Sequence, residues 1–226
     1  MITKNVINFL KALKNNNNKT WFEANRSWYE SARNEFEQTV AQVLFLMIRF
    51  DKTLQWLEPR KCIFRIYRDV RFSSDKTPYK TNFGAWFGRD GKFGASAGYY
   101  LHVEPGEYFL SGGLYMPPPD ILKAVRTEIF NFPEEFEKII YHPSFKKTFG
   151  GLWEQDKLQR PPKGFPPDFP YIEWLKYKHY LVNKDLTEKE ILSSGYPRQA
   201  ATIFRKMHPL IVFLNHAIDE NLYKTL

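Results

Sequence analysis

Residues 93–116 have the sequence FGASAGYYLHVEPGEYFLSGGLYM, and this stretch decides the fold class. Apolar and polar side chains alternate on both sides of Pro105-Gly106, a pattern typical of half-buried β-strands. Proline fixes one backbone φ angle of a type II turn, and glycine supplies the positive φ angle that follows it. The stretch therefore predicts an antiparallel hairpin with strands over Phe93–Glu104 and Glu107–Met116.

The two-residue turn also predicts the register of the hairpin, because each strand residue then faces a fixed partner. The expected pairs on the apolar face are Val103 with Tyr108, Leu101 with Leu110, and Ala97 with Leu114. The reverse face carries Tyr100, His102, Phe109 and Ser111. Tyr100, His102 and Ser111 are secondary candidate site residues, because a histidine beside hydroxyl groups can carry out acid–base chemistry.

Helical patterns lie on both sides of the hairpin. Thr3 can cap a helix through Leu13, and Thr20 can cap a longer helix that ends near Arg49. The longer helix has an apolar stripe that is expected to face the core: Phe22, Tyr29, Ala32, Phe36, Val40, Val43 and Met47. Beyond the hairpin, further helices are predicted over Asp120–Phe130, Glu134–Tyr141 and Pro197–Leu222.

This order of elements predicts an α+β fold, with an antiparallel-rich sheet packed against long N-terminal and C-terminal helices. A doubly wound sheet fits less well, because strands and helices do not alternate strictly. With 226 residues, of which 43% are hydrophobic, the chain can fill one core, so a single domain over residues 1–226 is expected.

The amino-acid usage favours a cytoplasmic protein. Cys62 is the only cysteine, which excludes a disulfide framework and a cysteine-based metal cluster. The first residues follow a polar, helical pattern rather than the apolar pattern of a secretory signal. The longest apolar run, Val43–Ile48, is too short to span a bilayer, so no membrane partner is expected.

Basic residues are concentrated between Arg60 and Lys80. The chain carries a net charge of +8, and this segment, with seven basic and two acidic residues, contributes +5 of it. A balance of this kind suits anionic partners such as nucleic acid or phosphate esters. Apolar and polar side chains alternate from Lys61 to Phe72, which predicts a half-buried strand with Arg68 as a polar exception on its apolar side.

The candidate ligand-binding residues lie in this segment. They are Arg65, Arg68, Asp69, Arg71, Asp75, Lys76, Tyr79 and Lys80. Arginine side chains bind carboxylate and phosphate groups bidentately, and clustered arginines repel one another unless an anion offsets their charge. The hypothesis is a pocket in which the arginines and Lys76 bind an anion while Tyr79 donates a hydrogen bond. The alternative is an internal ion-pair network that includes Asp69 and Asp75.

The spacing of these residues also matches a family signature. The matching residues are Arg65, Arg68-Asp69, Arg71-Phe72, Asp75-Lys76 and Tyr79. Further matching stretches are Asn17–Phe22, Gly98–Tyr100, Gly112-Gly113, 160–164 and 173–176. In these features the chain resembles the bacterial family catalogued as domain of unknown function 2461. The resemblance covers nearly the whole chain and implies no activity, substrate or cofactor, because the family has none assigned.

Three functions are compatible with these residues. The first is an enzyme or ligand-binding protein for a small phosphorylated or carboxylated anion. The second is a nucleic-acid-binding module, in which basic side chains contact phosphates and Tyr67, Phe72 or Tyr79 stacks on bases. The third is a structural or interaction protein whose arginines form internal ion pairs only. The residues assign no catalytic group, cofactor or oligomeric state, and the five histidines include no pair at metal-ligand spacing, so no metal site is expected.

Overall fold

The computed structural model describes residues 1–71 and 73–223. The helices are α1 (Lys4–Asn15), α2 (Lys19–Ala24), α3 (Arg26–Met47), α4 (Pro59–Cys62), α5 (Pro119–Asn131), α6 (Pro133–Ile140), α7 (Pro143–Phe149), α8 (Ile172–Leu175), α9 (Glu188–Ile191) and α10 (Tyr196–Ile218). The strands are β1 (Phe83–Gly88), β2 (Gly98–Glu104), β3 (Glu107–Leu114) and β4 (Tyr180–Leu186). None of the helices in these ranges is both long enough and apolar enough to cross a membrane.

The strands form an antiparallel sheet in the order β1-β2-β3-β4, which confirms the predicted α+β class. The predicted hairpin is β2–β3, and Gly106 in its turn has a φ angle of +92°. Its strands are shorter than predicted, because β2 begins at Gly98 and β3 ends at Leu114. Ala97 therefore lies outside the ladder, and its N–H donates to Asn215 Oδ1 at 2.8 Å instead.

The first helix begins as predicted, because the Thr3 hydroxyl accepts a hydrogen bond from the Val6 N–H at 3.3 Å. The predicted cap at Thr20 is wrong. Asn18 Oδ1 accepts from the Trp21 N–H at 2.9 Å, so α2 begins at Lys19, before Thr20. The predicted long helix is also two helices, α2 and α3. The apolar stripe is buried as expected, except that Tyr29 is half-buried: Phe22, Ala32, Phe36, Val40, Val43 and Met47.

Later helices follow the prediction with three additions and one correction. Helices α5 and α6 occupy the predicted ranges within a few residues, whereas α7, α8 and α9 were not predicted. The last helix, α10, contains Pro209 and ends at Ile218 rather than Leu222. A π-helical turn over Asp219–Tyr223 follows it.

The backbone divides into two compact units, each made of three chain segments. The first unit comprises Met1–Phe87, Tyr100–Leu110 and Asp185–Thr202, and the second comprises Gly88–Tyr99, Ser111–Lys184 and Ile203–Leu226. In the first unit, Phe9 of α1 and Phe36 of α3 pack on Phe83 of β1, with ring centroids 6.2 and 5.3 Å apart. In the second unit, Phe204 of α10 packs edge-on against Tyr99 of β2 at 5.4 Å. The single domain expected over residues 1–226 stays a prediction.

Gly113 of β3 has little room for a side chain. Its φ angle is +136°, and an added Cβ would lie 2.6 Å from Leu181 Cα and against the Tyr180 carbonyl oxygen of β4. Both of these atoms belong to backbone, so Gly113→Ala must push β3 and β4 apart. We expect it to lower Tm by more than about 5 °C in a thermal melt, since about 2 kcal/mol or more should be lost.

Gly151→Ala is the control for Gly113→Ala, because a Cβ there would contact nothing within 4 Å among the described residues. Its Tm should stay within about 2 °C of the parent chain. Equal Tm values for the two variants would contradict the close approach of β3 to β4.

Candidate functional site

A loop of two antiparallel arms carries the predicted ligand-binding residues. The first arm follows α4, and the second arm leads into β1. Among the described residues, two isolated bridges join Ile63 with Ala85 and Tyr67 with Tyr79. The Lys80 N–H also donates to the Ile66 carbonyl at 2.7 Å. Residues 60–80 are termed the basic loop.

The regular strand predicted from Lys61 to Phe72 is wrong. Its first residues belong to α4, and beyond them the described part of the segment pairs only through isolated bridges. Pro78 in the opposite arm has no N–H to donate, which limits the ladder. The alternation nevertheless appears in the exposure, because Arg65, Tyr67, Asp69 and Arg71 are exposed. Phe72 lies outside the described residues.

Asn17, between α1 and α2, anchors the second arm of the basic loop. Its side-chain amide donates to the Tyr79 carbonyl at 2.9 Å and accepts from the Tyr79 N–H at 3.1 Å. The Tyr79 ring stacks on Phe22 at a centroid distance of 4.0 Å and is only 3% exposed. Burial raises the pKa of the Tyr79 hydroxyl. Tyr79, predicted to donate to an anion, is thus a core residue that fixes the loop.

Arg68 points into the basic loop rather than out of it. Its guanidinium donates to the Asp75 carboxylate and to the Thr77 hydroxyl, and it lies 3.5 Å from the Ser73 hydroxyl. Asp75 also accepts from the Thr77 N–H at 2.9 Å. The bond from Thr77 and the bond from Arg68 lower the pKa of Asp75 to about 2. Arg68 is therefore neutralised within the loop.

The other cations of the first arm and loop tip face solvent. Arg71 pairs with Asp69 at 2.7 Å, but its side chain is 76% exposed. The bond from Arg71 lowers the pKa of Asp69, and the charge of Arg65 adds to that effect. Lys76 is exposed and donates to the Val70 carbonyl at 3.0 Å. The two acids of the loop thus pair with Arg68 and Arg71, while Arg65 and Lys76 present their charge to water.

Phe64 connects the basic loop to the reverse face of the hairpin. Its ring lies edge-on to Tyr100 at 6.1 Å, and the Lys80 Nζ lies 5.2 Å from its centroid. The Tyr100 hydroxyl is 3.0 Å from His102 Nδ1, and the His102 ring stacks on Phe109 at 4.5 Å. Two of the secondary candidates, Tyr100 and His102, are therefore hydrogen-bonded to each other.

Ser111, the third secondary candidate, has a different environment. It belongs to the second unit, where its buried hydroxyl donates to the Val182 carbonyl of β4 at 3.0 Å. This hydrogen bond supports the sheet between β3 and β4.

Glu104 and Glu107 join the reverse face, although the sequence analysis did not select them. Glu104 Oε2 lies 3.6 Å from His102 Nε2, and its other oxygen accepts from the Thr81 hydroxyl at 2.7 Å. Glu104 follows His102 by two residues on β2, so the strand alternation already places both on one face. His102, Glu104 and Glu107 are the described residues whose ligand atoms lie close enough together for a metal ion.

Burial determines the protonation of Tyr100 and His102. It raises the pKa of Tyr100 to about 12. It lowers the pKa of His102, and the nearby charges of Glu107 and Glu104 offset only part of that effect. Burial thus favours the neutral form of both side chains.

The Asp75 carboxylate should stabilise the loop in a pH-dependent way. Its pKa is about 2 in the folded chain, below the ordinary value of 3.8, so its contribution is complete above about pH 4 and lost as the pH falls towards 2. Asp75→Asn should lower Tm at pH 7, and the difference from the parent chain should vanish near pH 2. Thermal melts across this range measure it.

Asp168→Asn, at an exposed position, is the control and should leave Tm unchanged throughout. A Tm difference for Asp75→Asn that stays constant down to pH 2 would contradict the role of the carboxylate charge.

Comparison with known protein families gives a match over most of the chain. The family model described as "Conserved hypothetical protein (DUF2461)" matches residues 5–213, a range that includes the basic loop and the reverse face of the hairpin. This match confirms the resemblance predicted from the arginine signature. No curated protein and no solved structure matches the chain.

Proposed function

The chain belongs to the DUF2461 family of conserved hypothetical proteins, and we propose that it binds single-stranded nucleic acid along the basic loop. The observation that carries the proposal is the outer side of the first arm, where Arg65 and Tyr67 are both exposed. Proteins bind single strands by pairing cations with phosphates and by stacking bases on aromatic rings. An arginine two residues from an exposed tyrosine offers both contacts to adjacent nucleotides.

The bonding of Arg68 favours a long polyanion over a small anion. A small anion needs a concave site in which several cations meet. Arg68 is less exposed than Arg71, at 26% against 76%, yet its charge is already offset by Asp75. The remaining cations lie on the outside of a two-armed loop, where they suit successive phosphates of an extended strand.

Tyr67 has the support that a stacking platform needs. Its ring packs against Tyr79 at 5.4 Å and Phe22 at 6.0 Å, and 42% of the residue remains exposed. The ring is thus backed by the core on one side, so little conformational entropy is lost when a base stacks on the other.

The charge of the loop supplies the affinity. Arg60, Arg65 and Lys76 are exposed, and three phosphate contacts would give log K a slope of about −2 against log salt concentration, at about −0.7 per contact. Arg71 can add a contact when a phosphate displaces Asp69. A cytoplasmic, bacterial location suits such a partner, and the buried thiol of Cys62 is in keeping with a reducing compartment.

Fluorescence anisotropy with a labelled 12-nucleotide single strand, between 50 and 200 mM NaCl, tests this proposal. We expect binding with a slope of about −2 for the parent chain. Arg65→Gln should weaken binding at 50 mM NaCl and make the slope shallower by about 0.7, because one phosphate contact is lost. Arg198→Gln removes the same charge from an exposed position on α10 and should leave the slope unchanged.

Two results would overturn the proposal: no binding at 50 mM NaCl, or an Arg65→Gln slope equal to that of the parent chain. Binding of inorganic phosphate or a mononucleotide in place of the oligonucleotide, with little dependence on salt, would instead support the small-anion alternative. If neither ligand binds and Arg68→Ala lowers Tm, the arginines serve internal ion pairs.

Tyr67 should contribute through stacking rather than through its hydroxyl. Base–aromatic stacking stabilises a complex by about 1–3 kcal/mol, so Tyr67→Leu should weaken oligonucleotide binding roughly tenfold. Tyr67→Phe keeps the ring and should bind within about twofold of the parent chain. The same anisotropy assay measures both, with thermal melts to show that each variant is folded. Equal affinity for the leucine and phenylalanine variants would argue against stacking.

A further inference from the structure

The end of the β2–β3 hairpin brings one imidazole and two carboxylates together. His102 and Glu104 lie on the same side of β2, and Glu107 begins β3 after the tight turn at Pro105-Gly106. One ligand atom from each of the three side chains lies within 4.8 Å of the other two. We propose that His102, Glu104 and Glu107 bind a divalent transition-metal ion, with Zn²⁺ as the best fit.

The unpartnered nitrogen of His102 is an independent sign of a missing ligand. Nε2 is buried from solvent and has no hydrogen-bond partner within the described ranges. The facing carboxylate oxygen, Glu104 Oε2, is 3.6 Å away, beyond hydrogen-bond distance. Buried polar atoms are almost always paired, so an orphaned nitrogen needs an explanation. A cation between Nε2 and the carboxylates would give this nitrogen a partner.

The other contacts of His102 orient Nε2 towards the carboxylates. Nδ1 lies 3.0 Å from the Tyr100 hydroxyl and 3.5 Å from the Asn82 amide. The imidazole also stacks on Phe109 with an interplanar angle of 11°. With the proton on Nδ1 and donated to Tyr100, Nε2 keeps its lone pair for the ion. Metal-binding histidines in proteins usually donate their other ring N–H to an oxygen acceptor in this way.

Glu104 is oriented in the same manner. Its Oε1 accepts from the Thr81 hydroxyl at 2.7 Å and lies 3.5 Å from Lys14 Nζ. These contacts leave Oε2 directed at His102. One oxygen of the carboxylate is thus held by the protein, and the other is available to a metal.

The spacing requires only a small closure around the ion. Zinc binds nitrogen and oxygen ligands at about 2.0–2.2 Å, so tetrahedral ligands lie about 3.4 Å apart. The 3.6 Å between Nε2 and Oε2 is already near that value. Glu107 is exposed, so its side chain can move inwards without disturbing the core.

The ligand set determines which ions fit and what they can do. Imidazole suits zinc, copper, nickel and iron, whereas magnesium and calcium prefer sites made entirely of oxygen ligands. Three protein ligands leave at least one position of a zinc ion for water or a substrate atom, as catalytic zinc sites do.

Isothermal titration of the EDTA-treated full chain with ZnCl₂ tests the site. We expect one equivalent of Zn²⁺ to bind, and MgCl₂ to bind at least tenfold more weakly. Glu107→Gln removes a ligand at an exposed position, so it should fold normally and weaken Zn²⁺ binding at least tenfold. Glu30→Gln removes an exposed carboxylate of α3 and should bind as the parent chain does.

His102→Gln provides a second variant, and NMR of the histidine ring nitrogens provides a readout other than affinity. Zn²⁺ should shift the Nε2 resonance that is lost in His102→Gln. The site is refuted if the parent chain binds no Zn²⁺, if Glu107→Gln binds it as tightly, or if Mg²⁺ competes equally. This test is independent of nucleic-acid binding, since Arg65→Gln should keep full Zn²⁺ affinity.

Discussion

The two hydrogen bonds between the Asn17 side-chain amide and the Tyr79 backbone hold the basic loop in place. The loop carries seven basic residues, which repel one another, and its described residues are joined by isolated bridges rather than by a regular strand ladder. Ile63, Ile66 and Tyr79 of the loop are buried, whereas most of its charged side chains are exposed. The Asn17 amide bonds the N–H and the carbonyl of Tyr79, as a residue of a neighbouring strand would. The stack of Tyr79 on Phe22 adds apolar contact beside these bonds. The exposed side chains of the loop are therefore positioned by the buried contacts of Tyr79.

Two places in the first unit carry charge of opposite sign. In the basic loop, Asp75 forms an ion pair with Arg68, which stabilises the loop. The remaining basic residues still give the loop an excess of positive charge. At the end of the hairpin, Glu104 and Glu107 lie beside the neutral imidazole of His102 and give the opposite sign. Phe64 lies between them, with Lys80 over its ring and Tyr100 at its edge. The two places differ in the sign of their charge, and Phe64 packs between them.

The sequence predicted the elements with strong local signals and missed those that depend on distant partners. The Thr3 cap and the β2–β3 hairpin follow from local patterns, and both are present. The partner of Arg68 could not be chosen from sequence, because two aspartates lie within seven residues and only the turn of the chain selects Asp75. Glu104 could have been found, since it shares the strand period of His102. Glu107 could also have been found, since the predicted two-residue turn that sets Val103 opposite Tyr108 sets Glu104 opposite Glu107.

Strand β1 was not predicted from the sequence, and one of its residues, Gly84, also affects the reverse face of the hairpin. Its residues are buried on both sides apart from Trp86, so its sequence lacks the alternation that predicts a strand. Gly84 belongs to that pattern, and a Cβ there would lie 2.5 Å from the Tyr100 hydroxyl, so the Tyr100 side chain would have to shift. With glycine at this position, Tyr100 lies across β1 and its hydroxyl is 3.0 Å from His102 Nδ1. Gly84 is thus part of the pattern that lacks alternation, and it also gives Tyr100 the room to orient His102.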